Sequence, residues 1–126
     1  MNFRGILLDL DGTLVNSLDF VEASWSLWAT KKGLDVRGVC DYLHGKTALN
    51  TLRQVMPDAS EQTIIEEFTA LEAFEARNTD DITAVDGAVD FLRRLEQLQV
   101  PWAIVTSGSL KVASARIRRA GFPSPP

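Results

Sequence analysis

Asp9 and Asp11 are the residues of this chain whose type and spacing most directly imply chemistry. They follow the apolar run Gly5-Ile6-Leu7-Leu8 and lead into Gly12-Thr13-Leu14-Val15. Carboxylates at the end of an apolar strand are costly to bury unless charge or hydrogen bonds compensate them. Their pairing implies a cation, a proton-transfer task, or both. Asp-Gly is also ordinary turn chemistry, which accounts for Gly12 but leaves Asp9 unexplained.

A second cluster, Thr106-Ser107-Gly108-Ser109, follows the apolar run Trp102-Ala103-Ile104-Val105 and opens a helix. Hydroxyls and backbone N–H groups at a helix start suit an anion, because the helix dipole and free amides point toward it. Read alone, the same residues need be no more than a helix cap. Read with Asp9 and Asp11, they define a reaction class. An aspartate can attack a phosphoryl centre to form an aspartyl-phosphate. A second carboxyl group can protonate the leaving oxygen and then deprotonate the attacking water. Magnesium would screen carboxylate–phosphate repulsion, while hydroxyl and amide donors hold the transferring group.

The elements that must position these groups follow from periodicity. Phe3 to Leu8 reads as a short buried strand and Trp102 to Val105 as a second one, opened by Pro101. A helix is expected to begin near Ser17, with Leu18, Val21, Trp25 and Trp28 on one face, and to stop at Gly33 after Lys31 and Lys32. The tryptophans read as core or interface anchors. Asp35 to Asp58 reads as shorter helical pieces broken by Gly38, Gly45 and Pro57. Ser60 is an expected N-cap, and Ile64, Phe68, Leu71 and Phe74 form an apolar stripe. Glu61, Glu66, Glu67, Glu72 and Glu75 beside it read as a solvated face. Asn78-Thr79-Asp80-Asp81 is a polar break and an expected hinge. Asp86 is expected to cap a helix that turns Phe91, Leu92, Leu95 and Leu98 inward. A final helix carries Val112 and Ile117 and stops at Gly121.

A strand, crossover helix and parallel strand must join in the right-handed sense, which makes this an α/β arrangement. Both polar clusters then lie just past the carboxyl ends of strands, the edge where open parallel sheets bind ligands.

Asp9-Leu10-Asp11-Gly12-Thr13 and Val105-Thr106-Ser107-Gly108 resemble the first and second motifs of the haloacid dehalogenase-like phosphohydrolases. The resemblance covers essentially all 126 residues, and the run including His44-Gly45-Lys46 is similar to bacterial hexose- and hexitol-phosphate phosphatases. It implies a partial Rossmann-like core of two parallel strands with helices, over residues 1–15 and 83–126, and an inserted α-helical cap over 16–82. By the same resemblance Asp9 is the nucleophile and Asp11 the general acid/base. Mg2+ is held by the Asp9 carboxylate and the Asp11 backbone carbonyl, and Thr106, with Ser107 and Gly108, binds the phosphoryl group. Lys46, in the loop His44-Gly45-Lys46-Thr47, becomes the cap's candidate substrate residue; it reads equally well as a surface lysine after a helix-ending glycine. His44, the only histidine, is assigned a structural role.

The family also uses a lysine and an acidic pair on strands later than the second motif. Neither is found in its usual place here, and Lys111 and Asp80-Asp81 are poor substitutes. The expectation is therefore an amino-terminal portion with weak or absent activity, whose open strand edges invite self-association. Two other readings stay open, a non-catalytic fragment that binds phosphate or a partner chain and a phosphomutase of the same chemistry.

Composition bounds the rest. A net charge of −4 argues against general affinity for nucleic acid or anionic membrane. The longest apolar stretch at the amino terminus ends at Asp9, too short for an export signal, and no segment approaches a membrane span. Cys40 is the single cysteine, so no internal disulfide forms and a reducing cytoplasm is compatible. The expected ligand is a small phosphorylated sugar or polyol.

Overall fold

The computed structural model describes residues 4–123. In chain order these form β1 (Ile6–Asp9), β2 (Val15–Asn16), α1 (Leu18–Lys32), α2 (Val36–Leu43), α3 (Ala48–Val55), α4 (Glu61–Arg77), β3 (Thr83–Ala84), α5 (Ala88–Gln97), β4 (Trp102–Val105) and α6 (Leu110–Ala120). β1 and β4 pair in parallel, with Ile6 opposite Trp102 and Asp9 opposite Val105. Helices α5 and α6 complete the α/β part. The four helices α1 to α4 intervene between β2 and β3 and pack on one another around Trp25, Trp28, Leu52, Ile64 and Leu71.

Among the described residues the β1–β4 pair is covered on one face only. Ile6, Leu8, Trp102 and Ile104 pack with Leu92 and Leu95 of α5. The alternate residues point the other way, so Leu7 is 75% and Val105 56% exposed. Both strands were expected to be buried throughout; period-two alternation with helices on a single side leaves each half-buried. Phe3, placed in the first strand by its sequence, lies outside the described residues.

The chain enters and leaves the helical segment through β2 and β3, which pair antiparallel with Val15 opposite Ala84. Two-residue strands carry no readable alternation, so β2 and β3 leave no periodic signal in the sequence. Gly33 and Gly121 end α1 and α6 in the left-handed conformation, and Ser60 caps α4 by accepting from the Thr63 amide. Several expectations need correction. Gly38 lies inside α2 rather than breaking it. The N-cap of α5 is Gly87, with no side-chain cap from Asp86. Leu18, Phe91 and Leu98 are exposed, because the buried stripes of their helices run through Trp25 and Trp28 and through Leu92 and Leu95.

Candidate active site

Asp9 ends β1, and its carboxylate lies on the uncovered side of the sheet, where Oδ1 accepts from the Leu10 amide at 2.9 Å. The chain then folds back on itself. The Leu10 carbonyl accepts from the amides of Thr13, Leu14 and Val15, while Leu10, Leu14 and Val15 are buried beneath. Gly12 makes this reversal at φ +79°, and a Cβ there would sit 3.0 Å from Leu18 Cδ1. A left-handed backbone and a crowded neighbour together explain glycine after the second aspartate.

This tight turn carries Asp11 inward. Its Oδ1 accepts from Ser17 Oγ at 2.6 Å and from Arg116 Nη1 at 2.8 Å. Arg116 is 3% exposed, and its Nη2 also donates to Glu75 Oε2 at 3.1 Å. Burial pushes the Glu75 carboxyl above its ordinary range, opposed by the Arg116 charge and reinforced by Asp11. Ser17 sits at the N-cap position of α1, yet its hydroxyl serves Asp11 and not the helix.

On the other strand, Thr106 Oγ1 accepts from the Gly108 amide at 3.1 Å. Ser109 caps α6 by accepting from the Val112 amide. Two of the four residues in this turn are thus used locally. Ser107 and Gly108 line a cavity of about 110 Å³ together with Asp11, Lys46, Glu75 and Arg116. The structure therefore gathers Asp11, Ser107, Gly108 and Lys46 around one space. Asp9 and Thr106 lie at the same carboxyl end of the parallel pair but outside the lining of that cavity.

Lys46 stands 5.2 Å from the centroid of the Tyr42 ring, and His44 Nε2 pairs with Glu22 Oε1 at 2.7 Å. His44 thus has a carboxylate partner on α1, and it also borders the cavity. The acidic face expected on α4 is only partly solvated. Glu75 is engaged by Arg116, and Glu67 accepts from Trp28 Nε1 at 2.8 Å and pairs with Lys32. For Glu67, burial pushes the carboxyl up, but the Lys32 and Trp28 hydrogen bonds outweigh it and hold it below its ordinary value. Arg116 and Glu75 are the site residues that sequence reasoning missed. Their only local signal was a charged residue among the apolar positions Val112, Ala113 and Ala115 of α6.

A cation fits this donor set in kind. Asp9 and Asp11 offer hard oxygen donors, and magnesium needs few protein ligands because it keeps water and substrate oxygens. Among the described residues no group of three or more His, Cys, Asp or Glu gathers to hold a metal ion without such help.

The family model for haloacid dehalogenase-like hydrolases matches residues 3–124. The chain belongs to this family. Within it, the chain is 50% identical over 125 residues to hexitol phosphatase A of Escherichia coli, covering 99% of this chain and 58% of that protein. It is 31% identical to 2-deoxyglucose-6-phosphate phosphatase 2 of Saccharomyces cerevisiae, over 82% of this chain and 45% of that one. The chain thus spans about half the length of these haloacid dehalogenase-like relatives. Among solved structures, CbbY from Rhodobacter sphaeroides in complex with phosphate superimposes with a TM-score of 0.72 at 20% identity, covering 97% of this chain and 59% of that one. A hydrolase from Pseudomonas syringae gives 0.77 at 21% identity, over 94% and 55%. At these identities the structural matches establish the shared fold.

Proposed function

We propose that this chain carries the nucleophile and acid/base half of a magnesium-dependent phosphomonoesterase acting on small sugar or polyol phosphates in the cytoplasm. The observation that carries the reading is the gathering of Asp11, Ser107, Gly108 and Lys46 around one cavity at the strand end that also bears Asp9. Similarity to two sugar-phosphate and hexitol phosphatases supports the substrate class.

In this reading Asp9 attacks phosphorus and the bond to the leaving oxygen breaks. Asp11 gives that oxygen a proton and later takes one from the water that cleaves the aspartyl-phosphate. The Ser107 hydroxyl and amide, with Thr106, hold the phosphoryl oxygens, while Gly108 leaves room for them beside the turn. Lys46 reaches the distal part of the substrate from the helical segment, residues 16–82, which acts as a cap. Magnesium, held by the Asp9 carboxylate and the Asp11 carbonyl, would supply charge neutralisation at the phosphoryl group.

The test is release of inorganic phosphate from a hexitol phosphate and from p-nitrophenyl phosphate, with and without magnesium. Metal-dependent release that disappears in Asp9→Asn supports the reading. Release that survives the substitution removes Asp9 as nucleophile.

A second reading is favoured by the uncovered sheet face. Leu7 and Val105 are apolar and exposed beside strand edges with no partner among the described residues. Such a surface suits a chain that binds phosphate or a second copy without turnover. Concentration-dependent association in the absence of any phosphate release would favour it. No helix among the described residues is long and apolar enough to cross a membrane.

A further inference from the structure

Arg116 is a buried cation that joins three parts of the molecule. From α6 its Nη1 donates to Asp11 in the turn after β1, and its Nη2 donates to Glu75 on α4. Its guanidinium carbon lies 6.0 Å from the centroid of the Phe20 ring of α1, and Phe20 stacks on Phe74 of α4 at 6.3 Å. The Nε hydrogen is buried with no partner among the described residues.

Burying an arginine between two carboxylates is a weak way to gain stability, since desolvation offsets most of the attraction. An orphaned Nε adds to that cost. What the arrangement does supply is geometry, because a planar guanidinium fixes two carboxylates relative to one another through directed bonds. At Asp11, both hydrogen bonds given to the carboxylate fall on Oδ1, from Arg116 and from Ser17.

We propose that Arg116 is a positioning residue for Asp11. It anchors Oδ1, so that the proton work of the proposed phosphatase falls to Oδ2, and Glu75 sets the guanidinium in place from the cap helix α4. The carboxylate's orientation is thereby tied to the seating of the helical segment on the core. This inference deepens the phosphatase reading and rests on it for the chemical role of Asp11, while the mechanical link stands on geometry alone.

Two measurements on the full chain test it. In ¹H–¹⁵N spectra, Arg116→Met and Glu75→Gln both shift the amide signals from Asp11 to Ser17, although Glu75 makes no hydrogen bond to that turn. Arg53→Met, which breaks the exposed pair with Glu61, leaves those signals in place. In phosphate release, Arg116→Met lowers kcat by about tenfold or more with KM changed less than about threefold, and Arg116→Lys recovers part of the loss. Unmoved Asp11–Ser17 signals in Glu75→Gln, or an unchanged kcat in a folded Arg116→Met, overturn the proposal. If Arg116→Met does not fold, the other two variants decide. Absent turnover in the wild type counts against the phosphatase reading, and the spectra then judge the positioning role by themselves.

Discussion

Asp9 and Val105 are register partners at the carboxyl ends of β1 and β4, so the residues after them leave the sheet side by side. This pairing puts the first aspartate next to the start of the Thr106-Ser107-Gly108 turn although Thr106 lies 97 positions after Asp9. Substituting Asp9 should therefore remove chemistry without removing structure. Asp9 is exposed, and among the described residues its carboxylate accepts only from the neighbouring Leu10 amide, which Asn can also satisfy through its carbonyl oxygen. Asp9→Asn is expected to lower phosphate release by at least about a thousandfold, as loss of a nucleophile does, with the thermal midpoint unchanged. Asp11→Asn is expected to lower both, because it weakens the bond to buried Arg116.

How the sequence announced this site, and where it was silent, follows from range. Asp9, Asp11 and Thr106 to Gly108 stand in contiguous motifs whose apolar lead-ins mark strand ends, so type and place were both readable. The helix faces around Trp25, Trp28, Ile64 and Leu71 were readable because their periodicity is local. Arg116 was not, since its partners Asp11 and Glu75 lie 105 and 41 positions away. Glu75 belongs to a helix with five glutamates, and spacing alone does not tell a solvated carboxylate from a paired one. Exposure of Leu7 was hidden for a related reason, because an unbroken apolar run does not say how many faces are covered.

Lys46 faces the same cavity as Asp11 but from the helical segment, with its ammonium over Tyr42. A residue that holds the distal part of a substrate contributes to ground state and transition state alike. Lys46→Ala is thus expected to raise KM for a hexitol phosphate about tenfold while leaving kcat within about twofold. With p-nitrophenyl phosphate, which lacks sugar hydroxyls, the change should be smaller. Steady-state kinetics on the two substrates checks both statements, and a fall in kcat with KM unchanged would reassign Lys46 to the reacting centre.

Glu67 offers a pH-dependent test of how the helical segment is held together. Its carboxyl lies below the ordinary value of 4.5 in the folded chain because Lys32 and Trp28 bond its charged form. A group depressed by folding contributes stability above its unfolded value and loses it as pH falls through the folded one. Glu67→Gln is therefore expected to lower the thermal midpoint at pH 7, and the gap from wild type should narrow as pH drops below 4.5. Melting curves from pH 7 to acid check the direction. A gap that widens toward acid would show that the Lys32 and Trp28 bonds do not favour the ionised form.

The uncovered side of the β1–β4 pair sets the last expectation. Leu7 and Val105 project from it at 75% and 56% exposure, on strands whose outer edges have no partner among the described residues. Apolar side chains beside open backbone donors and acceptors favour strand pairing with another copy, and a charge on that surface opposes it. Leu7→Lys places a cation where no packing is lost, so the fold should tolerate it. Light scattering across a concentration series is expected to show association of the wild type and a shift toward monomer in Leu7→Lys. Equal association of the two chains would exclude this face as the contact, because a buried lysine at its centre would have to be desolvated in every such pair.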